Sequence, residues 1–209
     1  MIETPFGPAN LVLDVPSRTP KSLLLLGHGA GGGVDAPDLI AVRDAALAAG
    51  VAVGRVTQPY RVAGRRSPAP AVQLDAAWSA VVAEVRSRYP RKPLITGGRS
   101  SGARVACRTA RDVGAVGVLA LAFPLHPPGR PDNSRAPELA TGVPTLVING
   151  GSDPFGVPEA GGDVELCVIP GGKHDLRKDL AAVAEAAVGW LRAHGWAAAP
   201  AARMSRASR

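Results

Sequence analysis

The sequence predicts an α/β fold: a single doubly wound, mostly parallel sheet of about seven strands flanked by helices. Apolar runs rich in Val, Ile and Leu alternate with segments of helical period, and Gly or Pro stands at each change. Such continuous apolar runs are typical of parallel strands, which helices cover on both faces. The length of 209 residues suits one domain, at roughly 150 residues per domain.

The strands and helices follow one another along the chain in a regular order. The predicted strands cover about 10–15, 22–26, 51–56, 93–96, 115–123, 144–149 and 164–169. Four helices are predicted. The first covers about 37–49 and the last about 176–194. The second has apolar positions at 74, 78, 81 and 85 and ends at 89, and the third follows residue 102. Residues 197–209 contain too few large apolar side chains to pack. We therefore expect a folded domain over 1–196 and a disordered basic tail over 197–209.

Composition argues against several classes of protein. The net charge of +7 comes from 24 basic and 17 acidic residues, but the basic residues are spread along the chain and aromatic residues are only 4%. A nucleic-acid partner is therefore not predicted. No apolar run approaches the roughly 18 residues of a membrane span, and the N-terminus lacks the features of a signal peptide. We expect a soluble, cytoplasmic protein with no membrane partner.

The two cysteines, Cys107 and Cys167, lie far apart in the sequence. Neither belongs to a C-x-x-C motif, and no histidine stands at ligand spacing from either. The sequence therefore predicts no zinc site and no disulfide framework.

A G-x-S-x-G pattern occupies residues 98–102, between a predicted strand and a predicted helix. Glycines two positions to either side of Ser100 let strand and helix approach closely and lift the serine onto a strained turn. Ser101, framed by Arg99 and Ala103, fits the nucleophile less well. Its backbone N–H follows the nucleophile at a helix N-terminus, where it can donate to a developing oxyanion. The alternative interpretation is an ordinary Gly/Ser turn.

A serine hydroxyl is a weak nucleophile unless a base takes its proton and a third group orients that base. Among the four histidines, His174 lies in a loop after the last predicted strand, where it can reach Ser100. His194 instead suits the C-terminal end of a helix. Asp153, in the loop after the strand at 144–149, is the predicted acid. Three other aspartates fit this role less well: Asp132, Asp163 and Asp175.

Residues 27–33 read G-H-G-A-G-G-G and directly follow a buried strand. Their glycines let backbone amides approach a bound oxygen, so the N–H of Ala30 is the predicted second oxyanion donor and Gly31 is its neighbouring candidate. The loop also matches the G-x-G-x-x-G of dinucleotide-binding proteins. That alternative requires an acidic residue closing the next strand, which is missing here, and it leaves the serine pattern unexplained.

Five motifs together resemble those of the compact, cap-less α/β-hydrolases: L-L-L-L-G-H-G-A-G-G, G-G-R-S-S-G-A-R-V-A, F-P-L-H-P-P-G-R-P, V-P-T-L-V-I-N-G-G-S-D-P-F-G and I-P-G-G-K-H-D-L. Within them the chain, over about 11–191, is most similar to the small dienelactone-hydrolase-like group related to a subunit of the NSL chromatin complex. The resemblance implies a triad of Ser100, Asp153 and His174, in the chain order usual for the family. Dienelactone hydrolases proper use a cysteine at the position of Ser100.

The segment between the strands at 115–123 and 144–149 is too short for a helical lid. The predicted site is therefore open and suits small or protruding acyl groups. We expect five residues to line it: His28, Gly31, Arg99, His126 and Phe155. Arg99 would favour an anionic substrate unless it is solvated or paired with an acid.

These patterns predict a serine hydrolase that cleaves small-molecule carboxylic esters through an acyl-enzyme, with no metal and no organic cofactor. The alternative is a non-catalytic interaction protein on the same scaffold, because some members of the NSL-related branch are thought to act as scaffolds.

Overall fold

The computed structural model describes residues 1–200. Its sheet has seven strands in the order β1-β3-β2-β4-β5-β6-β7, and only β1 runs antiparallel to its neighbour. The strands are β1 (Asn10–Asp14), β2 (Leu23–Gly27), β3 (Ala52–Thr57), β4 (Leu94–Arg99), β5 (Gly117–Leu121), β6 (Thr145–Gly150) and β7 (Val164–Ile169). The predicted fold class is confirmed.

Helices cover both faces of this sheet. They are α1 (Pro37–Ala48), α2 (Pro59–Val62), α3 (Ala71–Arg88), α4 (Ser101–Thr109) and α5 (Leu180–Ala193). Helices α1 and α5 pack on one face, and α3 and α4 pack on the other. No helix within residues 1–200 is long and apolar enough to cross a membrane.

Strand β2 shows why the strands read as continuous apolar runs. All of its side chains are buried, and successive ones point to opposite faces. Leu24 and Leu26 belong to the core beneath α1 and α5. Leu23 and Leu25 pack with Trp78 of α3. A central parallel strand therefore has no face on which polar residues could alternate.

The last helix begins later than the spacing of its apolar residues predicts. Leu176 is buried but adopts a left-handed conformation with φ of 52°, so it precedes the helix. A 3-10 turn at Arg177–Asp179 follows, and the Asp179 side chain caps α5 by accepting from Ala182 N at 2.9 Å. This arrangement keeps the segment before α5 in a loop, where His174 lies.

Packed structure also continues past the predicted boundary at 196. Ala197 is buried in the core, and Ala198 N donates to Ala49 O at 2.7 Å. Small side chains and backbone bonds are sufficient for this packing, which an argument from large apolar residues misses. The remainder of the predicted tail, 201–209, lies outside the described residues.

The segment between β5 and β6 forms a loop with one 3-10 turn at Ala136–Leu139 rather than a helical lid. Glu138 anchors the turn by accepting from Arg104 Nε of α4 at 2.8 Å. The segment is thus tied down beside α4 as a surface loop, as its length predicts.

Candidate active site

Four loops meet at one edge of the sheet. They follow β2, β4, β6 and β7, which run parallel to one another, so their carboxyl ends share that edge. The loops carry Ala30, Ser100, Asp153 and His174, respectively. Topology therefore brings Ser100 and His174, which lie 74 positions apart in the chain, to the same edge.

Ser100, His174 and Asp153 form a continuous hydrogen-bonded chain. His174 Nε2 lies 2.9 Å from Ser100 Oγ, and His174 Nδ1 lies 2.8 Å from Asp153 Oδ2. Because a carboxylate only accepts, the imidazole proton belongs on Nδ1, which leaves Nε2 free to accept from the serine hydroxyl. The three residues have the geometry of a nucleophile, a base and an orienting acid.

Ser100 lies on a strained turn between β4 and α4. Its φ of 53° and ψ of −110° are unfavourable for a residue with a side chain, at a cost of about 1–3 kcal/mol. The flanking glycines permit the turn. A Cβ on Gly98 would lie 2.5 Å from Gly27 O, and one on Gly102 would collide with the same backbone. The strand–helix junction therefore packs directly against the end of β2.

The Asp153 carboxylate is fully buried. Its Oδ1 accepts from Phe155 N at 2.9 Å, and Asn149 Nδ2 lies 3.4 Å from its Oδ2. Asn149 is itself buried at the end of β6 and is fixed by its Oδ1, which accepts from Phe123 N at 2.7 Å. Sequence reasoning missed Asn149; its polar side chain within an otherwise apolar strand was the available signal.

The predicted oxyanion donors lie in the loop after β2 and at the first residue of α4, and Gly29 of that loop is close to the Ser100 side chain. Within residues 1–200, neither Ala30 N nor Ser101 N has a hydrogen-bond acceptor. The loop carrying Ala30 is held from outside, because Tyr60 Oη donates to Ala30 O at 2.8 Å. Tyr60, from α2, is a second residue that the sequence did not single out.

His28 does not line the open pocket, contrary to the sequence-based expectation. Its ring is buried, its Nε2 accepts from Gln58 N at 3.1 Å, and its Nδ1 donates to Gly29 O at 2.8 Å. Burial lowers the pKa of His28 below its ordinary value. The His28 ring is therefore neutral, and its two hydrogen bonds hold the glycine-rich loop from the interior of the protein.

The sequence left open whether Arg99 faces an anionic substrate, solvent or an acid. The Nε of Arg99 lies 3.1 Å from the buried Asp38 carboxylate, and its Nη2 donates to His174 O at 3.0 Å. The guanidinium is thereby paired with an acid, the alternative that the sequence left open.

The other expected pocket residues lie around the triad. The Phe155 ring centroid is 4.2 Å from that of His174. His126 N donates to Phe155 O at 3.1 Å, which joins the loop after β5 to the loop after β6. Gly31 lies in the glycine-rich loop after β2, and no atom beyond its immediate neighbours lies within 4 Å of where its Cβ would be. This side of the site is therefore open.

Cavities of different sizes lie near these loops. One of about 360 Å³ adjoins the nucleophile turn and is lined by Gly32, Arg99, Asp175 and Arg177 among others. Another of about 620 Å³ lies between the 134–142 and 157–164 segments, and no triad residue lines it. Within residues 1–200, no three His, Cys, Asp or Glu side chains are grouped so as to hold a metal ion.

The fold and this triad geometry are those of an α/β-hydrolase. The family model described as "Alpha/beta hydrolase domain" matches residues 20–193, and the chain belongs to that family. The match includes every residue of the candidate triad and both predicted oxyanion donors.

Solved structures of lid-less and dienelactone-hydrolase-like members have the same fold. A serine hydrolase without a lid from Xanthomonas campestris has a TM-score of 0.76 at 20% identity, covering 96% of this chain and 94% of that one. Est1E from Butyrivibrio proteoclasticus, with ferulic acid bound, has a TM-score of 0.71 at 19% identity, covering 88% and 94%. Dienelactone hydrolase from Anabaena variabilis has a TM-score of 0.69 at 21% identity, covering 88% and 91%. No curated protein matches the chain.

Proposed function

We propose that this protein is a serine hydrolase that cleaves carboxylic esters through an acyl-enzyme. The observation that carries the proposal is the chain of contacts from Ser100 Oγ to His174 Nε2 at 2.9 Å and from His174 Nδ1 to Asp153 Oδ2 at 2.8 Å. Both distances lie within the range needed for proton transfer to the base and for its orientation.

In the first half of the reaction, Ser100 Oγ attacks the ester carbonyl carbon while His174 Nε2 takes the hydroxyl proton. The carbonyl oxygen becomes an oxyanion, and the N–H groups of Ala30 and Ser101 stabilise it. The tetrahedral intermediate then expels the alkoxide, which receives the proton from His174. The alcohol leaves, and the acyl group remains on Ser100.

In the second half, water takes the place of the alcohol. His174 removes a proton from the water as its oxygen attacks the acyl carbon, and the same two N–H groups hold the new oxyanion. Collapse of this intermediate releases the carboxylic acid and returns the proton to Ser100. Asp153 remains ionised throughout and stabilises the imidazolium that forms at each stage.

The open edge of the site favours small or protruding acyl groups. The loop between β5 and β6 lies against α4 and does not form a helical lid over Ser100. Two of the structural relatives are described as Est1E with ferulic acid bound and a dienelactone hydrolase. These names support esters and lactones of small acids as the first substrates to test.

The proposal is tested with a fluorophosphonate probe and with p-nitrophenyl acetate. Wild type should become labelled and turn over the ester, whereas Ser100→Ala and His174→Ala should lose at least about 1,000-fold in kcat. Ser87→Ala removes an exposed serine hydroxyl on α3 and serves as the control. Wild type inert to both reagents would overturn the proposal in favour of the non-catalytic interaction protein.

A further inference from the structure

We propose that Arg99, which pairs with Asp38, is a positioning residue. It fixes the loop that carries the base His174 relative to the nucleophile Ser100. The inference rests on the proposed function, because it assigns a role in placing the base of that reaction. It develops the acid-paired alternative for Arg99 rather than the one in which Arg99 favours an anionic substrate.

The three guanidinium nitrogens of Arg99 face three different parts of the site. Nε lies 3.1 Å from Asp38 Oδ2, in the first turn of α1. Nη2 donates to the backbone carbonyl of His174 at 3.0 Å. Nη1 packs against Gly29, in the glycine-rich loop of residues 27–33. A Cβ built on Gly29 would lie 3.0 Å from this nitrogen. Only the contact to the His174 carbonyl is a hydrogen bond, whereas the contact to Asp38 is an ion pair without hydrogen-bond geometry. Because the guanidinium is planar and rigid, its three nitrogens keep fixed relative positions, so one side chain touches all three parts at once.

The ion pair between Arg99 and Asp38 is mostly buried. The Asp38 side chain is 0% exposed and that of Arg99 is 17% exposed. Burial raises the pKa of Asp38, and the charge of Arg99 opposes this effect. A buried carboxylate requires its partner, so Arg99 cannot turn outward to bind a substrate anion without leaving Asp38 uncompensated.

The base loop depends on this contact. Within residues 1–200, the His174 carbonyl accepts a hydrogen bond from Arg99 and from no other donor. The neighbouring bonds, such as Ser152 N to Gly172 O at 2.8 Å and Leu176 N to Lys173 O at 3.0 Å, hold the loop on either side of the histidine. Arg99, which precedes the nucleophile in the chain, therefore couples the base directly to the nucleophile turn.

A double-mutant cycle separates this positioning role from simple structural support. Arg99→Met should lower the melting temperature, by about 5 °C or more, because it leaves the Asp38 carboxylate buried and unpaired. It should also lower kcat by about 10- to 100-fold with little change in KM, since a displaced base impairs chemistry more than binding. Adding Asp38→Asn should restore much of the melting temperature but leave kcat low, because the His174 carbonyl still lacks its donor. Recovery of kcat together with stability would overturn the proposal.

Arg104 and Glu138 provide a matched control. Their ion pair, with Nε to Oε2 at 2.8 Å, is part-buried, more exposed than that of Arg99 and Asp38, and joins α4 to the 3-10 turn rather than to the base loop. Arg104→Met, alone or with Glu138→Gln, should change stability while kcat stays within about 2-fold of wild type. An equal fall in kcat in this control would show that loss of a half-buried arginine is sufficient, and the proposal would fail.

A readout independent of turnover separates failure of this inference from failure of the proposed function. The proton on His174 Nδ1, bonded to Asp153, should give a downfield NMR resonance that His174→Ala abolishes. In Arg99→Met this resonance should broaden or disappear through faster exchange, whether or not the wild-type protein cleaves esters. An unchanged resonance in Arg99→Met overturns the positioning role. Wild type that shows the resonance but is inert to esters and to the fluorophosphonate overturns the proposed function instead.

Discussion

Tyr60 Oη donates a 2.8 Å hydrogen bond to the carbonyl of Ala30, joining helix α2 to the loop that follows β2. Tyr60 is almost fully buried, whereas the bond it makes to Ala30 is part-buried. It fixes the peptide plane on the carbonyl side of Ala30, next to the N–H proposed to hold the oxyanion. The loop that provides this donor is thus held by a residue 30 positions away in the chain.

Tyr60→Phe should therefore reduce kcat by about 3- to 10-fold, the equivalent of one hydrogen bond of roughly 0.5–1.5 kcal/mol. KM should change little, because the lost restraint acts on an oxyanion that forms only during reaction. Steady-state kinetics on p-nitrophenyl acetate measure both constants. Tyr89→Phe, at the end of α3, is the control. An unaltered kcat in Tyr60→Phe would mean that the glycine-rich loop holds its shape without this bond.

Asn149→Ala should affect both stability and activity. The substitution leaves Phe123 N buried without its acceptor, at a cost of about 1–3 kcal/mol in the free energy of unfolding. It also removes the Nδ2 group that lies 3.4 Å from Asp153 Oδ2, so kcat should fall as well. Urea denaturation and ester turnover measure the two effects. Asn133→Ala, an exposed position in the loop after β5, should change neither.

Gly102→Ala should abolish activity and destabilise the protein. The added Cβ would collide with the backbone of Gly27, so the nucleophile turn cannot close against β2. Gly161→Ala is the matched control, because no atom beyond its chain neighbours lies within 4 Å of the added carbon and its φ is ordinary. Melting temperature and fluorophosphonate labelling distinguish the two variants. Wild-type labelling of Gly102→Ala would contradict the close approach of α4 to β2.

The buried imidazole of His28 should make the fold sensitive to acid. Since burial lowers its folded-state pKa below the ordinary 6.5, the unfolded state binds a proton more readily. The contribution to stability is therefore complete above about pH 6.5 and is lost as the pH falls from there through the folded-state pKa. Unfolding free energies measured at pH 7.5 and pH 5 should differ more for wild type than for His28→Gln. Equal differences would show that His28 titrates alike in the folded and unfolded states.

Local patterns were sufficient to predict the fold and the order of the candidate triad. Apolar runs alternating with helical periods identified the strands and helices, and β7 was predicted with its observed bounds of Val164–Ile169. Glycines framing Ser100 predicted the strained turn, because this requirement involves only neighbouring residues. Asp153 and His174 follow strands whose parallel direction brings their loops together, so their meeting with Ser100 could also be inferred from the chain alone.

The tertiary structure decided what surrounds these residues. From the sequence, Arg99 could have faced solvent, a substrate or an acid, and only the tertiary packing of α1 places Asp38 within its reach. His28 was expected in the pocket, but the backbone of Gln58 binds its ring in the interior. Such contacts join groups 30 to 75 positions apart, and the sequence carries no spacing that encodes them. The sequence determines which segments form the sheet edge, whereas the partner of each polar side chain there depends on how neighbouring segments pack.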